Sequence, residues 1–339
     1  MDRVDKNSGT EVAEQLISSG FGRRVFLKRA VFMGASFFIA CPWGLLRKIP
    51  AVYAAESPVV RVSNPQYVAV SGQGNIYVTA VSETGSYKVK IFDKTGRVLG
   101  EFGRIGSHPG EFNFPQGIAV NSEEVYVVDS NNGRIQVFSL QGEFKREISG
   151  LGGIPGLLHS PQGIDLYEGK IYVADTRNHM IQVFSKDGQI IQTIGDLGDG
   201  DDRFRLPTAV AVSKDNLIYV ADSKHNYIKV FSPKGEFLKK FGGSSTKKEP
   251  GKFNSPSGMA IDNTRKCIYV SDTLNHRIQI FDLDGNFLRV LAQGNGHSFN
   301  NPLGICINGQ GDLLIADTGS NRVQIILRSY LEKPLAKVA

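Results

Sequence analysis

Phe112–Phe138 reads FNFPQGIAVNSEEVYVVDSNNGRIQVF, and versions of this stretch return along the chain. With its proline as a ruler, Pro65, Pro115, Pro161, Pro207, Pro256 and Pro302 mark six copies, spaced by 50, 46, 46, 49 and 46 residues. After the proline comes an apolar run (Gly117–Val120), then a polar turn and a β-rich run (Val125–Val128) that stops at Asp129. An alternating run follows (Ile135–Phe138), and a glycine-containing turn leads into a fourth run (Phe144–Ile148). Short runs rich in Val, Ile, Tyr and Phe, bounded by Gly, Asn, Asp and Pro, are strands and not helices. Each copy therefore predicts a four-stranded antiparallel sheet.

One such sheet cannot hide two apolar faces, so the copies must bury one another, and a period of this length is the signature of a propeller. The columns agree. Tyrosine recurs in the second strand (Tyr77, Tyr126, Tyr172, Tyr219, Tyr269) and phenylalanine closes the third (Phe92, Phe138, Phe184, Phe231, Phe281). Burying such a side chain contributes roughly 1.5–3 kcal/mol, and a repeated apolar column reads as packing between blades before it reads as a binding surface.

These residues resemble the NHL repeat family, whose blades open on Pro-x-Gly-Ile-Ala-Val and carry Tyr-Val-Ala-Asp and Arg-Ile-Gln-Val-Phe in the second and third strands. The resemblance spans all six copies and implies an all-β fold over residues 57–330, a six-bladed β-propeller of four-stranded antiparallel blades. It implies less about function, because a propeller is a scaffold for binding modules and enzymes alike. Val59–Ser63 precedes the first proline and has no copy of its own, while the sixth copy ends after Val323–Ile326 without a fourth strand. Pairing the two closes the ring and removes an open edge. Residues 331–339 read as a tail.

The formal charge of +6 is concentrated at the N-terminus. Residues 1–54 hold eight Lys/Arg and four Asp/Glu, which leaves 31 basic and 29 acidic residues elsewhere. Arg23, Arg24, Val25, Phe26, Leu27 and Lys28 resemble the twin-arginine export motif, and an uncharged run follows from Ala30 to Leu46. Val52, Tyr53 and Ala54 place compact residues before an expected cleavage after Ala54, so residues 1–54 read as a signal peptide and the product as periplasmic or cell-envelope. Two alternatives retain the segment. Phe38, Ile39, Ala40 and Cys41 form an imperfect lipoprotein box, and the apolar run could remain as a membrane tether, although spanning a bilayer takes about 20 residues. The exported part keeps Cys267 and Cys306, on strands of different blades, so no disulfide is expected.

Asp129, Asp175, Asp222, Asp272 and Asp317 end the second strand in five blades, with Ala80 in the first. The expected role is structural: a carboxylate accepting backbone N–H groups of the following loop, with Arg134, Arg277 and Arg322 as available partners. All six histidines fall on loops of one face. For zinc, which some six-bladed lyases that resemble this chain hold near the channel, the better trio is His108, His159 and His297, since His179, His225 and His276 would have to converge from three successive blades. Asp165 is singular because its column otherwise holds Ala69, Ala119, Ala211, Ala260 and Cys306, and it is a candidate for the channel or a metal. The acidic link with Asp196, Asp199, Asp201 and Asp202 matches no calcium loop and reads as solvated charge.

The polar residues flanking the prolines predict a ligand-binding rim around the channel mouth: Asn113, Gln116, His159, Gln162, Arg205, Thr208, Asn254, Ser257 and Asn300. These neutral donors and acceptors, with one fixed cation, suit a protein, peptide or glycan of the cell envelope. A nucleic acid would call for clustered Lys and Arg, and no haem or nucleotide motif occurs. The expectation is a monomeric binding or scaffolding module without a cofactor, acting through its loop-rich face. The alternative is a metal-dependent lyase or lactone hydrolase with an ion at the channel mouth.

Overall fold

A computed structural model describes residues 59–81, 85–150, 152–245, 248–294 and 296–332. Residues 1–58, with the twin-arginine motif, Cys41 and the expected cleavage after Ala54, lie outside the described residues, as do residues 333–339 of the expected tail. Six four-stranded antiparallel sheets follow one another, the second built from Pro115–Val120, Glu124–Asp129, Arg134–Ser139 and Phe144–Ile148 in that spatial order. The sixth is made of Pro302–Ile307, Leu313–Asp317 and Arg322–Ile326, completed by Val59–Arg61. Val59 pairs with Gln324, Val60 with Val323 and Arg61 with Arg322, so the two ends of the propeller are hydrogen-bonded to each other. The closing strand has three residues where the sequence predicts five. Arg328–Leu331 then forms a helical turn that buries Leu331, so packing runs slightly past residue 330.

The predicted columns are core. The five second-strand tyrosines and the five third-strand phenylalanines of those columns are each at least 95% buried, and six apolar clusters fill the seams of the ring. A further column lies three residues before each proline: Phe112, Leu158, Phe204, Phe253 and Phe299 are buried and pin the link that leads into each blade. Cys267 and Cys306 are free thiols. Among the described residues no helix is long and apolar enough to cross a membrane.

The first strands surround the axis, and small residues let them approach. Two positions after the proline stand Gly117, Gly163, Ala209, Gly258 and Gly304. A Cβ on Gly117 would lie 2.2 Å from the Gln162 carbonyl, and one on Gly258 2.2 Å from that of Leu303. In the first blade this position is Tyr67.

Candidate functional site

The loop after each second strand staples the ring, and three consecutive features of it do so. The strand-ending aspartates are wholly buried. Each accepts the amide two residues before its own blade's proline: Asn113 onto Asp129 at 2.7 Å, His159 onto Asp175 at 2.8 Å, Arg205 onto Asp222 at 2.9 Å, Asn254 onto Asp272 at 2.7 Å and Asn300 onto Asp317 at 2.6 Å. The sequence expectation is corrected here: the amides come from the lead-in link, and the following loop supplies side chains such as Asn132 and Asn275. Arg134, Arg277 and Arg322 pair with the carboxylates of their blades. In the fourth blade Tyr227 stands in the arginine place, and the buried Lys229, in the column of Gln136 and Gln279, pairs with Asp222 at 2.9 Å instead. In the third blade Met180 stands there, and Asp175 is held by amides alone while burial raises its carboxyl above the usual range.

The next residue, Ser or Thr, donates its hydroxyl to the following blade's proline carbonyl: Thr176 to Pro207 at 2.8 Å, Thr273 to Pro302 at 2.7 Å and Thr318 to Pro65 at 2.6 Å, with Ser130 and Ser223 doing the same for Pro161 and Pro256. The residue that ends the loop adopts a left-handed conformation, and its side chain accepts the amide just before the next proline. His179 Nδ1 takes Leu206 N–H at 3.1 Å, Asn226 Oδ1 takes Ser255 N–H at 2.7 Å, His276 Nδ1 takes Asn301 N–H at 3.1 Å, and Asn321 Oδ1 takes Asn64 N–H at 2.7 Å. Two of the six histidines are thus seam fasteners. A third, His225, sits 2.7 Å from Asp222 and 3.0 Å from Asp199.

The candidate zinc trio is not assembled. His108 is exposed and bonded to Glu111 at 3.0 Å, His297 lies on an exposed two-stranded hairpin in the link into the sixth blade, and His159 is half-buried in the link into the third. Among the described residues no group of three or more His, Cys, Asp or Glu side chains stands where it could hold one ion. The acidic link is cross-linked to cations: Asp199 to Arg205 at 2.9 Å, Asp196 to Arg203 at 3.8 Å and Asp201 to Lys240.

The predicted rim divides by depth. Asn113, His159, Arg205, Asn254 and Asn300 form an outer, solvent-facing set whose backbones are clamped by the aspartates. Gln116, Thr208 and Ser257 are buried, and Gln162 is half-buried, at the channel mouth. There Tyr67 crosses the axis from the first blade, its hydroxyl 2.9 Å from the Ser257 carbonyl and 3.2 Å from that of Thr208, in the fifth and fourth blades. Gln116 Nε2 donates to Gln66 Oε1 at 3.2 Å, and Thr208 Oγ1 to the Pro256 carbonyl at 3.0 Å. The loop-rich end of the channel is plugged.

The residue just before each proline was missed in the sequence. All six are left-handed, with φ of 44° at Asn64, 60° at Phe114, 47° at Ser160, 53° at Leu206, 56° at Ser255 and 49° at Asn301. Asn tolerates this region, whereas a bulky residue in it is an outlier, and a following proline narrows the choice towards extended backbone. Phe114 and Leu206 nevertheless hold it and are 37% and 38% exposed on the loop-rich face. The signal was present: an aromatic and a leucine in a column otherwise filled by Asn and Ser.

The NHL repeat model matches residues 112–138 and 299–326, and a model described as a 6-bladed beta-propeller matches residues 156–241 and 207–294. The chain is a propeller with NHL repeats. It is similar to the human NHL repeat-containing protein 2, 32% identical over 88 residues that make up 22% of this chain and 12% of that protein. Two solved structures share the fold of these NHL blades. One is a protein of unknown function from Bacteroides thetaiotaomicron (TM-score 0.59, 19% identity, 78% of this chain and 69% of that one). The other is virginiamycin B lyase from Staphylococcus aureus (TM-score 0.54, 16% identity, 79% and 87%).

Proposed function

We propose that this NHL propeller is an exported binding module that takes a protein partner on its loop-rich face, with Phe114 and Leu206 as anchors. The observation that carries this is their backbone. Holding a non-glycine residue in the left-handed region costs on the order of 1–3 kcal/mol, and the polar residues at the same place in the other four blades meet the same geometry at lower cost. The Phe114 ring packs edge-on against Tyr87 at 6.2 Å, yet more than a third of it and of Leu206 stays exposed, which the fold alone does not require of an apolar side chain at a strained position. Aromatic residues and arginine are enriched in the cores of protein interfaces, and Phe114 and Arg205 occupy this face. The plug at Tyr67 supports the module over an enzyme with an ion at the mouth, since the channel offers no depth from that side. The twin-arginine motif supports an envelope location, where the partner would be met.

The test replaces both anchors with asparagine, which suits the left-handed backbone. Wild-type and F114N/L206N protein are immobilised and exposed to envelope extract at matched loading. The expected result is a partner held by the wild type and lost from the variant, with the variant's melting temperature equal or higher. Equal capture by both would remove the anchors and this reading of the face.

A further inference from the structure

Behind the Tyr67 plug the channel is a blind cavity of about 350 Å³, lined by the first strands of all six blades. Its lining runs from Tyr67 to the last residues of those strands, including Val70, Val212 and Ile307, so it is reached from the face of the tight turns, opposite the face discussed above. It exists because the column four residues after the proline is almost all small. Ala69, Ala119, Ala211, Ala260 and Cys306 leave a void at the axis, and Asp165 alone brings a charge into it.

The setting of Asp165 differs from that of the five strand-ending aspartates. Those are consumed by donors from three directions. Asp165 accepts one backbone N–H on each oxygen, Leu166 on Oδ1 at 2.9 Å and Val212 on Oδ2 at 2.8 Å, and among the described residues no Lys, Arg or His forms an ion pair with it. A carboxylate has about four acceptor sites, so roughly half its capacity faces the cavity unused. A buried ionised carboxylate is costly unless paired.

We propose that this cavity binds a small primary amine, its ammonium held by Asp165 and its short apolar body seated among Ala69, Ala119, Ala211 and Ala260. A hard metal ion fits less well, because it takes six to eight oxygen ligands, and Asp165 is the single carboxylate lining the cavity. A primary ammonium needs only three acceptors. One charge-assisted bond goes to the carboxylate, and the others to carbonyls on the first strands' free edges, which turn to the axis because each first strand pairs only with its second. The volume sits at the lower end of ligand pockets, about 300–1,000 Å³.

The protonation states fit. Burial pushes the Asp165 carboxyl up to about 6, with the Val212 and Leu166 amides pulling the other way. The other titratable groups facing the cavity stay neutral near pH 7: burial pushes the Cys306 thiol up to about 12, and the Tyr67 and Tyr167 hydroxyls lie above their usual range, the latter also under the charges of Glu168 and Asp215. Asp165 therefore sets the pH dependence of binding.

The test is calorimetric titration of the purified protein with butylamine, beside butanol and butyrate as neutral and anionic isosteres and calcium chloride as the metal arm. The expected outcome is one saturable butylamine site, with butanol and butyrate at least about tenfold weaker, and affinity falling about tenfold from pH 7.5 to pH 5 as the carboxylate protonates. Asp165→Asn, which keeps an acceptor for Val212 N–H, should fold and lose the site. Ala119→Val, which narrows the cavity without touching the carboxylate, should weaken it. The proposal is overturned by no saturable amine binding, by butanol binding equally, by unchanged binding in folded Asp165→Asn, or by calcium binding in place of the amine.

Discussion

At the scale of single residues, two titrating groups pull stability in opposite directions with pH. His179 must keep Nδ1 unprotonated to accept Leu206 N–H, and burial, followed by the charge of Arg205, holds its pKa below the ordinary value. A histidine whose folded pKa is depressed adds stability that is complete above its unfolded pKa of about 6.5 and is lost as pH falls through the lower folded value. Asp165 is the reverse. Its folded pKa near 6 exceeds the unfolded one, so the native state binds the proton more tightly and stability falls as pH rises through the interval between the two. His179→Asn copies Asn226, keeps the fastener and should flatten the acid-side loss, whereas His179→Ala should cost about 1 kcal/mol at neutral pH. Asp165→Asn should match or exceed the wild type at neutral pH, its advantage shrinking towards pH 4. Melting temperatures of the variants across this pH range check both signs; an Asp165→Asn protein less stable at pH 7.5 would sink the second.

At the scale of the strand and its loop, the partners of each buried carboxylate decide what it is worth. Asp272 holds the Asn254 amide, Asn275, Arg277 and Gln279, and Arg277 is itself buried. Asp272→Asn would leave that buried charge without its carboxylate, held only by the Lys248, Glu249 and Lys252 carbonyls, and losing one partner of a buried pair costs about 3–5 kcal/mol. Asp175→Asn strands no cation, because Met180 occupies the arginine place, and should cost no more than about 1–3 kcal/mol for mismatched hydrogen bonds. Urea midpoints of the two variants test the order, and equal losses would refute it. Much of this was legible: the Asp, Tyr and Phe columns recur in register, and recurrence is what a sequence displays best. The same ruler laid over the position three before the proline would have found the pinning residues Phe112 and Phe204. Over the position two after it, a lone tyrosine among four glycines and one alanine announces the plug at Tyr67. The split of the predicted rim was not legible, since Gln116 and Asn113 are equally polar and only the convergence of strands at the axis buries one and not the other. Nor was the strain at Phe114, because φ is imposed by the corner the chain must turn and not by residue type.

At the scale of the whole ring, the seam between the sixth and first blades is unlike the others. Elsewhere a blade's outer strand is five or six residues long, whereas here it is Val59–Arg61. On the inner side the seam is as well fastened as any, by Thr318 to the Pro65 carbonyl and Asn64 N–H to Asn321, and Val60 and Val62 fill an apolar cluster with Val68, Val323 and Ile325. The repeats nearest a chain end draw stability only from their neighbours, so local opening should begin at this seam and proceed from its outer edge inwards. Hydrogen exchange should show the Val60 and Val323 amides exchanging ahead of those of Val173 or Val220, in the middle of the third and fourth blades. Val60→Asp places an unpaired carboxylate where the side chain is 1% exposed, and should lower the melting temperature and extend fast exchange over the first and sixth blades while the third and fourth stay protected. Uniform exchange across all six blades in that variant would mean that the ring opens as one cooperative unit, with the three-residue strand as no more than one contact among many.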